Sequence, residues 1–253
     1  MARRPPPAQR EVPFLTKQQI EDEAALLLAE YGQTHGPVIA PPVPVDDIVE
    51  LYLKLTLEFK DLRRLFGFGD VHGALWVNDR RIGIDQSLDP AQNKAMLGRY
   101  HFTLAHEAGH WRLHRGLYQR RADQPTLLKD AQRADYVCRS SDTSPIEWQA
   151  NWFAAGLMMP REMVKRAWHE WRGGMDPIFL VDLQENRREI VTAEVLRHAG
   201  IGPDDFANDD LLLEHCSRPL ADQFQVSAAA MRIRLENLGL LRRKQAASFS
   251  SDL

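Results

Sequence analysis

In Arg99-Tyr-His-Phe-Thr-Leu-Ala-His106-Glu107-Ala-Gly-His110-Trp-Arg-Leu-His114, two histidines stand four residues apart, with a glutamate directly after the first. On an α-helix His106 and His110 share one face and lie about 6 Å apart along the axis, close enough to reach one metal ion. Glu107 is rotated roughly 100° from His106, so it stands beside such an ion rather than binding it. Phe102, Leu104, Ala105, Ala108 and Leu113 interleave with these polar residues. That pattern predicts a largely buried helix, in which an unpartnered glutamate is expensive. An ordinary helix with a polar exposed side is therefore the poorer reading. The spacing H-E-x-x-H is that of zinc-dependent peptidases, in which the two histidines are ligands and the glutamate is the general base.

A catalytic zinc site needs a third protein ligand and an open position for water. His114 continues the same face but lies about 12 Å along a straight helix from His106, too far to join it on one ion. Packing or hydrogen bonding is the expectation for it. Glu147 opens a second apolar segment, Ser144-Pro-Ile-Glu147-Trp-Gln-Ala-Asn151-Trp-Phe-Ala-Ala-Gly-Leu-Met-Met-Pro160, with Asn151 one turn on to orient a ligating histidine from behind. Ser144-x-x-Glu147 is equally a capping box, in which the glutamate satisfies a backbone N–H. Spacing does not separate the two. Asp123, Asp130, Asp135 and Asp142 are weaker rivals, since no firm element carries them.

The 253 residues carry a net charge of −3 and an ordinary 44% of hydrophobic residues, so no overall pull toward nucleic acid or anionic membrane exists. No apolar run approaches the roughly 20 residues that span a bilayer. The N-terminal Met1-Ala-Arg-Arg-Pro-Pro-Pro lacks the apolar segment of a secretory signal. Cys138 and Cys216 are far apart and fit a reducing compartment; zinc ligation is the alternative for them, but outside any C-x-x-C pair they read as buried free thiols. The expected location is cytoplasmic.

Residues 1–13, rich in proline and arginine, are expected to be disordered, with a zinc metallopeptidase domain over 14–160. A helix runs from Thr16 to about Tyr31, a proline-dense crossing loop covers Gly36–Val45, and a second helix begins at Asp46 or Asp47. Strands are expected at Leu55–Phe59, Val71–Val77 and Arg81–Asp85, giving a small antiparallel sheet. Its edge over Val71–Asp85 could hold an extended peptide by strand addition, or the pair is a plain hairpin. The metal-binding helix is expected to begin at Asp89-Pro90. Gly116–Thr143 reads as a loop with some helix around Thr126–Val137. Residues 161–241 form a helical C-terminal region, and 242–253 a flexible tail.

Within that region, residues 218–239 have the rhythm of a helix-turn-helix, with Gln225 where a glycine commonly makes the turn. From Arg218 to Lys244 six basic residues face two acidic ones. Arg232 and Arg234 are the candidate DNA contacts, against the alternative that the pair is only a packing unit. A DNA-binding regulator, or an antitoxin-like module that binds a partner without cutting it, is thus the rival to an enzyme.

Several of these segments together resemble the ImmA/IrrE family of zinc metallopeptidases. They are Gly73-Ala-Leu-Trp with Ile82-Gly-Ile, Arg99-x-x-Phe102-Thr-Leu-Ala-His106-Glu107-x-Gly-His110-x-x-x-His114, Glu147-x-x-Ala150-Asn151-x-Phe153-Ala-Ala-x-Leu-Met-Met-Pro160, and Leu220-Ala-x-x-Phe224-x-Val226-Ser227. The resemblance implies an α+β, mainly helical fold with a thermolysin-like core. It also implies Glu147 as third zinc ligand and a helix-turn-helix repressor as the protein substrate, cut to release stress-response or mobile-element genes. The stretch from Arg161 to Cys216 and the lack of a sensor domain after Leu241 depart from the expected pattern. Tyr100, His101, Tyr136 and His169 are the side chains considered for stabilising an oxyanion.

Overall fold

The computed structural model describes residues 12–119, 134–139, 141–197 and 208–244. The expectations for residues 1–11, for helix over 126–133, for Asp123 and Asp130 and for the tail from 245 lie outside the described residues. Two compact units emerge, one of Met1–Pro37 with Pro44–Met158 and the other of Val38–Val43 with Met159–Leu253.

In the first unit, α1 (Lys17–His35) starts at a capping box, where the Gln19 N–H reaches the Thr16 hydroxyl and the Gln19 amide oxygen accepts from the Thr16 N–H. Then come α2 (Val45–Asp47), which runs into a π-helical turn over Ile48–Tyr52, β1 (Thr56–Lys60), α3 (Leu62–Phe66), β2 (Val71–Trp76) and β3 (Arg81–Asp85). α4 (Leu97–Gly109) passes through a second π-helical turn, His110–His114, into α5 (Arg115–Gln119); β4 (Tyr136–Arg139) and α6 (Pro145–Met158) follow.

The sheet is mixed rather than antiparallel. Its order is β1-β3-β2-β4, with β1 parallel to β3 and both other pairings antiparallel. The alternating pattern shows which residues share a face, but not strand direction. Direction is set by the crossover through α3, a short helix not anticipated from the sequence. Buried Asp85 at the end of β3 secures that crossover by accepting from the Leu62 N–H at 3.1 Å. β4 is a second correction, for it occupies residues read as loop and helix. Its residues pair with β2 from Leu75↔Tyr136 to Val71↔Arg139. Consequently β2 and β3 are both interior strands, and the Val71–Asp85 pair offers no free edge. Among the described residues the outer edges belong to β1 and β4.

α4 also begins later than expected. Asp89 makes a tight turn, its carboxylate accepting from the Ala91 N–H at 2.9 Å, and Asn93 caps a single 3-10 turn over Lys94–Met96 before the α-helix starts at Leu97. α4 lies against β2 and against α6, and α1 covers α6. Leu104, Ala105 and Ala108 on α4 and Ala150, Phe153, Ala154 and Leu157 on α6 are fully buried. Burying Phe153 alone is worth about 1.5–3 kcal/mol. Gly109 lets the two helices approach closely, because a methyl there would meet Phe153 Cδ1 at 3.1 Å and the Ala150 Cα at 3.3 Å. Arg112, on the π turn, grips α1 through a two-pronged pair with Glu30, both contacts at 2.9 Å.

The second unit is helical: α7 (Arg161–Arg172), α8 (Leu180–Gln184), α9 (Arg187–Arg197), α10 (Asp209–Phe224) and α11 (Ala228–Asn237), with β5 (Ile178–Phe179) pairing parallel to β6 (Leu241–Arg242). α10 and α11 meet through buried Leu220, Ala221, Phe224, Met231 and Leu235. Gln225 makes the bend between them at φ +53°, a conformation that glycine adopts more cheaply, and the Ser227 hydroxyl caps α11 by accepting from the Ala230 N–H. No helix of the described residues is long and apolar enough to cross a membrane.

Candidate metal centre

α4 and α6 bring His106, His110 and Glu147 together, all buried. The Nε2 atoms of the two histidines are 3.0 Å apart; Glu147 Oε2 lies 2.9 Å from His106 Nε2 and its Oε1 3.1 Å from His110 Nε2. Glu147 does not close a capping box. The Ser144 N–H donates to Asp142 at 2.8 Å, and the Ser144 hydroxyl makes no hydrogen bond. Position in the first turn of α6 suits an anion, because the helix dipole is positive there.

Two imidazole nitrogens and one carboxylate oxygen are a donor set for a catalytic metal with one position left for water. Ligand atoms around a tetrahedral ion at about 2.0–2.1 Å stand roughly 3.3 Å from one another. The three here need to part by only a few tenths of an ångström to seat one. Asn151 Oδ1 lies 3.0 Å from His106 Nδ1, so it accepts that ring's N–H and leaves Nε2 bare toward the centre. Burial pushes the His110 imidazole down to about 4, which keeps it neutral at pH 7, as a metal ligand must be. Burial also works against charge on Glu147, but the His106 and His110 rings against its two oxygens pull its carboxyl down. The donor set fits a metal ion.

Glu107 points elsewhere. It is wholly buried, neither carboxylate oxygen makes a hydrogen bond, and burial pushes its carboxyl well above the usual range, with the Glu147 charge adding to the effect. Room for it comes from Gly73 on β2, where a Cβ would lie 2.3 Å from Glu107 Oε1. Cys138 on β4 completes a second grouping with His106 and Glu107. Burial raises its thiol well above the ordinary value, consistent with an inert free cysteine. Cys216 is also free, with its thiol pushed up by burial to about 11.

A cavity of about 200 Å³ opens beside the centre, lined by His72, Arg99, Cys138, Arg139, Glu147 and Asn151 among others. His72 and Arg99 were not singled out from sequence, because β2 and α4 bring them together only in the fold. Arg99 Nη2 lies 3.0 Å from His72 Nε2, and a guanidinium can only donate, so His72 Nε2 accepts. The side chains considered for an oxyanion are engaged elsewhere. The Tyr100 hydroxyl and His101 Nε2 both bond Asp46, and Tyr136 lies stacked on the His110 ring with centroids 4.3 Å apart. His169 belongs to the second unit. The rival carboxylate Asp135 accepts from the Val77 N–H at 2.8 Å, and Asp142 serves Ser144.

Arg232 and Arg234 are not presented as phosphate contacts. Arg234 is 2% exposed and donates to the Met159 carbonyl at 3.0 Å. Arg232 is ringed by Asp210, Glu214 and Glu236. Of the six basic residues that suggested DNA, Arg232 and Arg243 pair with Asp210 or Glu214 of α10, upstream of Arg218.

A buried two-histidine, one-glutamate cluster between two helices, with a further buried carboxylate and a cavity alongside, has the composition of a metallopeptidase centre. The chain belongs to the ImmA/IrrE family: residues 66–236 match the Peptidase_M78 family model, described as the IrrE N-terminal-like domain. No curated protein gives a significant match to the sequence.

Proposed function

We propose that the protein is a zinc-dependent, site-specific endopeptidase with a thermolysin-like catalytic arrangement, acting on a helix-turn-helix repressor. The observation that carries the enzymatic reading is Glu107, a buried carboxylate with no hydrogen-bond partner beside a donor set that fits a metal ion. A purely structural metal site has no use for such a group, which costs several kcal/mol to bury charged. The family supplies the substrate class.

His106, His110 and Glu147 would hold the zinc, which when bound lowers the pKa of its water toward about 7 and polarises the scissile carbonyl. Glu107 takes the proton released as water attacks and passes it to the leaving amine. Asn151 keeps His106 in the ligating tautomer. Arg99 is the cavity side chain suited to the developing oxyanion, since its guanidinium carries N–H groups on the cavity wall, and His72 Nε2 holds it there by accepting from Nη2. The substrate lies extended along β4, whose Cys138 and Arg139 line the same cavity, replacing the edge expected from Val71–Asp85. Asp70 braces that strand by pairing with Arg139 at 3.0 Å and accepting from Ser141. A folded repressor must open locally to present an extended segment, which restricts cleavage to few sites.

Glu107→Gln removes the base and spares the ligands. Incubated with zinc and the repressor-like protein encoded nearest the gene, the wild type should give two fragments on a gel. The variant should keep one zinc per chain, still bind, and leave the partner whole. If the variant relieves repression in cells as fully as the wild type, the protein acts by binding, as an antitoxin-like module would, and proteolysis is the wrong mechanism.

A further inference from the structure

Behind His110, on the side away from Glu147, a chain of hydrogen bonds runs to the protein's N-terminal segment. His110 Nδ1 lies 3.1 Å from His114 Nδ1, His114 Nε2 lies 3.0 Å from Gln149 Oε1, and Gln149 Nε2 lies 2.9 Å from the Pro13 carbonyl oxygen. His110, His114 and Gln149 are each no more than 2% exposed.

The direction of this chain follows from its last member. A carbonyl oxygen can only accept, so the Gln149 atom facing Pro13 is the NH₂ group and the atom facing His114 is the amide oxygen. That oxygen also only accepts, so His114 carries its proton on Nε2. A neutral imidazole with Nε2–H has a bare Nδ1, which must therefore accept from His110. His110 then carries its proton on Nδ1, and its Nε2 lone pair faces His106 and Glu147. Each step admits one polarity once the Pro13 carbonyl is fixed.

We propose that His114 and Gln149 are positioning residues that set the tautomer of His110 through this one-way relay anchored on the Pro13 carbonyl, presenting its Nε2 lone pair to the metal. The inference rests on His110 being a metal ligand, as read above. It gives a role to a histidine that spacing had excluded as a ligand. Within the π-helical turn His114 stands against the back of the His110 ring, with ring centroids 5.2 Å apart. Tyr136 completes the support, stacking on His110 and donating its hydroxyl to the His114 carbonyl at 3.4 Å. Orienting partners of metal-bound histidines typically change affinity by 10–100-fold when lost.

The test reads proton positions directly. Protein labelled with ¹⁵N-histidine, both metal-free and zinc-loaded, should show in long-range ¹H–¹⁵N spectra His114 protonated on Nε2 and His110 on Nδ1. Gln149→Met keeps the bulk and removes the acceptor. It should leave His114 as a mixture of tautomers and weaken zinc binding 10–100-fold in competition with a chelator. His114 protonated on Nδ1 in the wild type would overturn the relay whatever Gln149→Met does. So would a Gln149→Met protein with unaltered His114 tautomer and zinc affinity within twofold of the wild type. A wild type that binds no zinc would instead sink the ligand assignment, while the metal-free spectra still decide the relay.

Discussion

Replacing Gly73 by alanine puts a single methyl against the proposed general base. An ideal Cβ there lies 2.3 Å from Glu107 Oε1, 3.0 Å from Glu107 Cδ and 2.9 Å from Thr103 Cγ2. Ordinary carbon–oxygen contact is nearer 3.4 Å, so the carboxylate must retreat by about 1 Å. β2 cannot easily move instead, because Gly73 is paired on both sides, with Ile84 of β3 and Cys138 of β4. A displacement of about 1 Å in a catalytic group costs on the order of 100-fold in rate, or about 2.7 kcal/mol of barrier. Overpacking costs a further ~1–3 kcal/mol of stability, small enough to leave the protein folded. The methyl does not reach His106, His110 or Glu147, so zinc should stay at one per chain. Cleavage rates on the repressor, zinc content by elemental analysis and a far-UV spectrum on the same preparation make the assay. Gly73→Ala with kcat within threefold of the wild type would refute the reasoning, and so would a folded variant that had lost its zinc.

Three further outcomes are expected. Glu147→Ala should lose most of its zinc while staying folded, and chelator treatment of the wild type should lower its melting temperature, since the ion ties α4 to α6; a folded Glu147→Ala protein with full zinc would place the third ligand elsewhere. Hydrogen bonds from Ser141 and then Arg139 hold the Asp70 carboxyl down to about 2 from an ordinary 3.8, so its stabilising effect is complete above pH 3.8 and is lost as pH falls toward 2. Urea melts of the wild type and Asp70→Asn should differ at pH 5 and converge by pH 2; a gap independent of pH would assign the effect to packing.

The local parts of the site were legible in the sequence, because an i, i+4 pair on a helix fixes its own geometry. His106, Glu107 and His110 need nothing beyond the helix to be read. Glu147 could not be read that way, as its two readings differ only in what lies opposite it, and that is another helix 37 residues earlier in the chain. His72 and Arg99 were missed for the same reason: they converge through the packing of α4 on β2, and residue type alone gives no hint of partner. Gly73 did leave a trace, since a glycine inside a strand often marks a close approach. The parallel pairing of β1 with β3 left none, because side-chain alternation is the same in either direction. For Arg232 the carboxylates that meet it, Asp210 and Glu214, lie before Arg218, and for Arg234 the partner is the Met159 carbonyl, which no charge count displays.

The change of pitch after Gly109 divides one continuous helix into two registers. Upstream, α-helical spacing places His106 and His110 on a common face; downstream, the wider turn decides what stands behind His110. A single residue removed between Trp111 and Leu113 would let the segment run as ordinary α-helix, leave both upstream histidines and Glu107 in place, and set His114 three residues after His110 instead of four. The turn thus lies just past the ligand segment, so a change of one residue there alters what supports the second histidine without touching H-E-x-x-H itself.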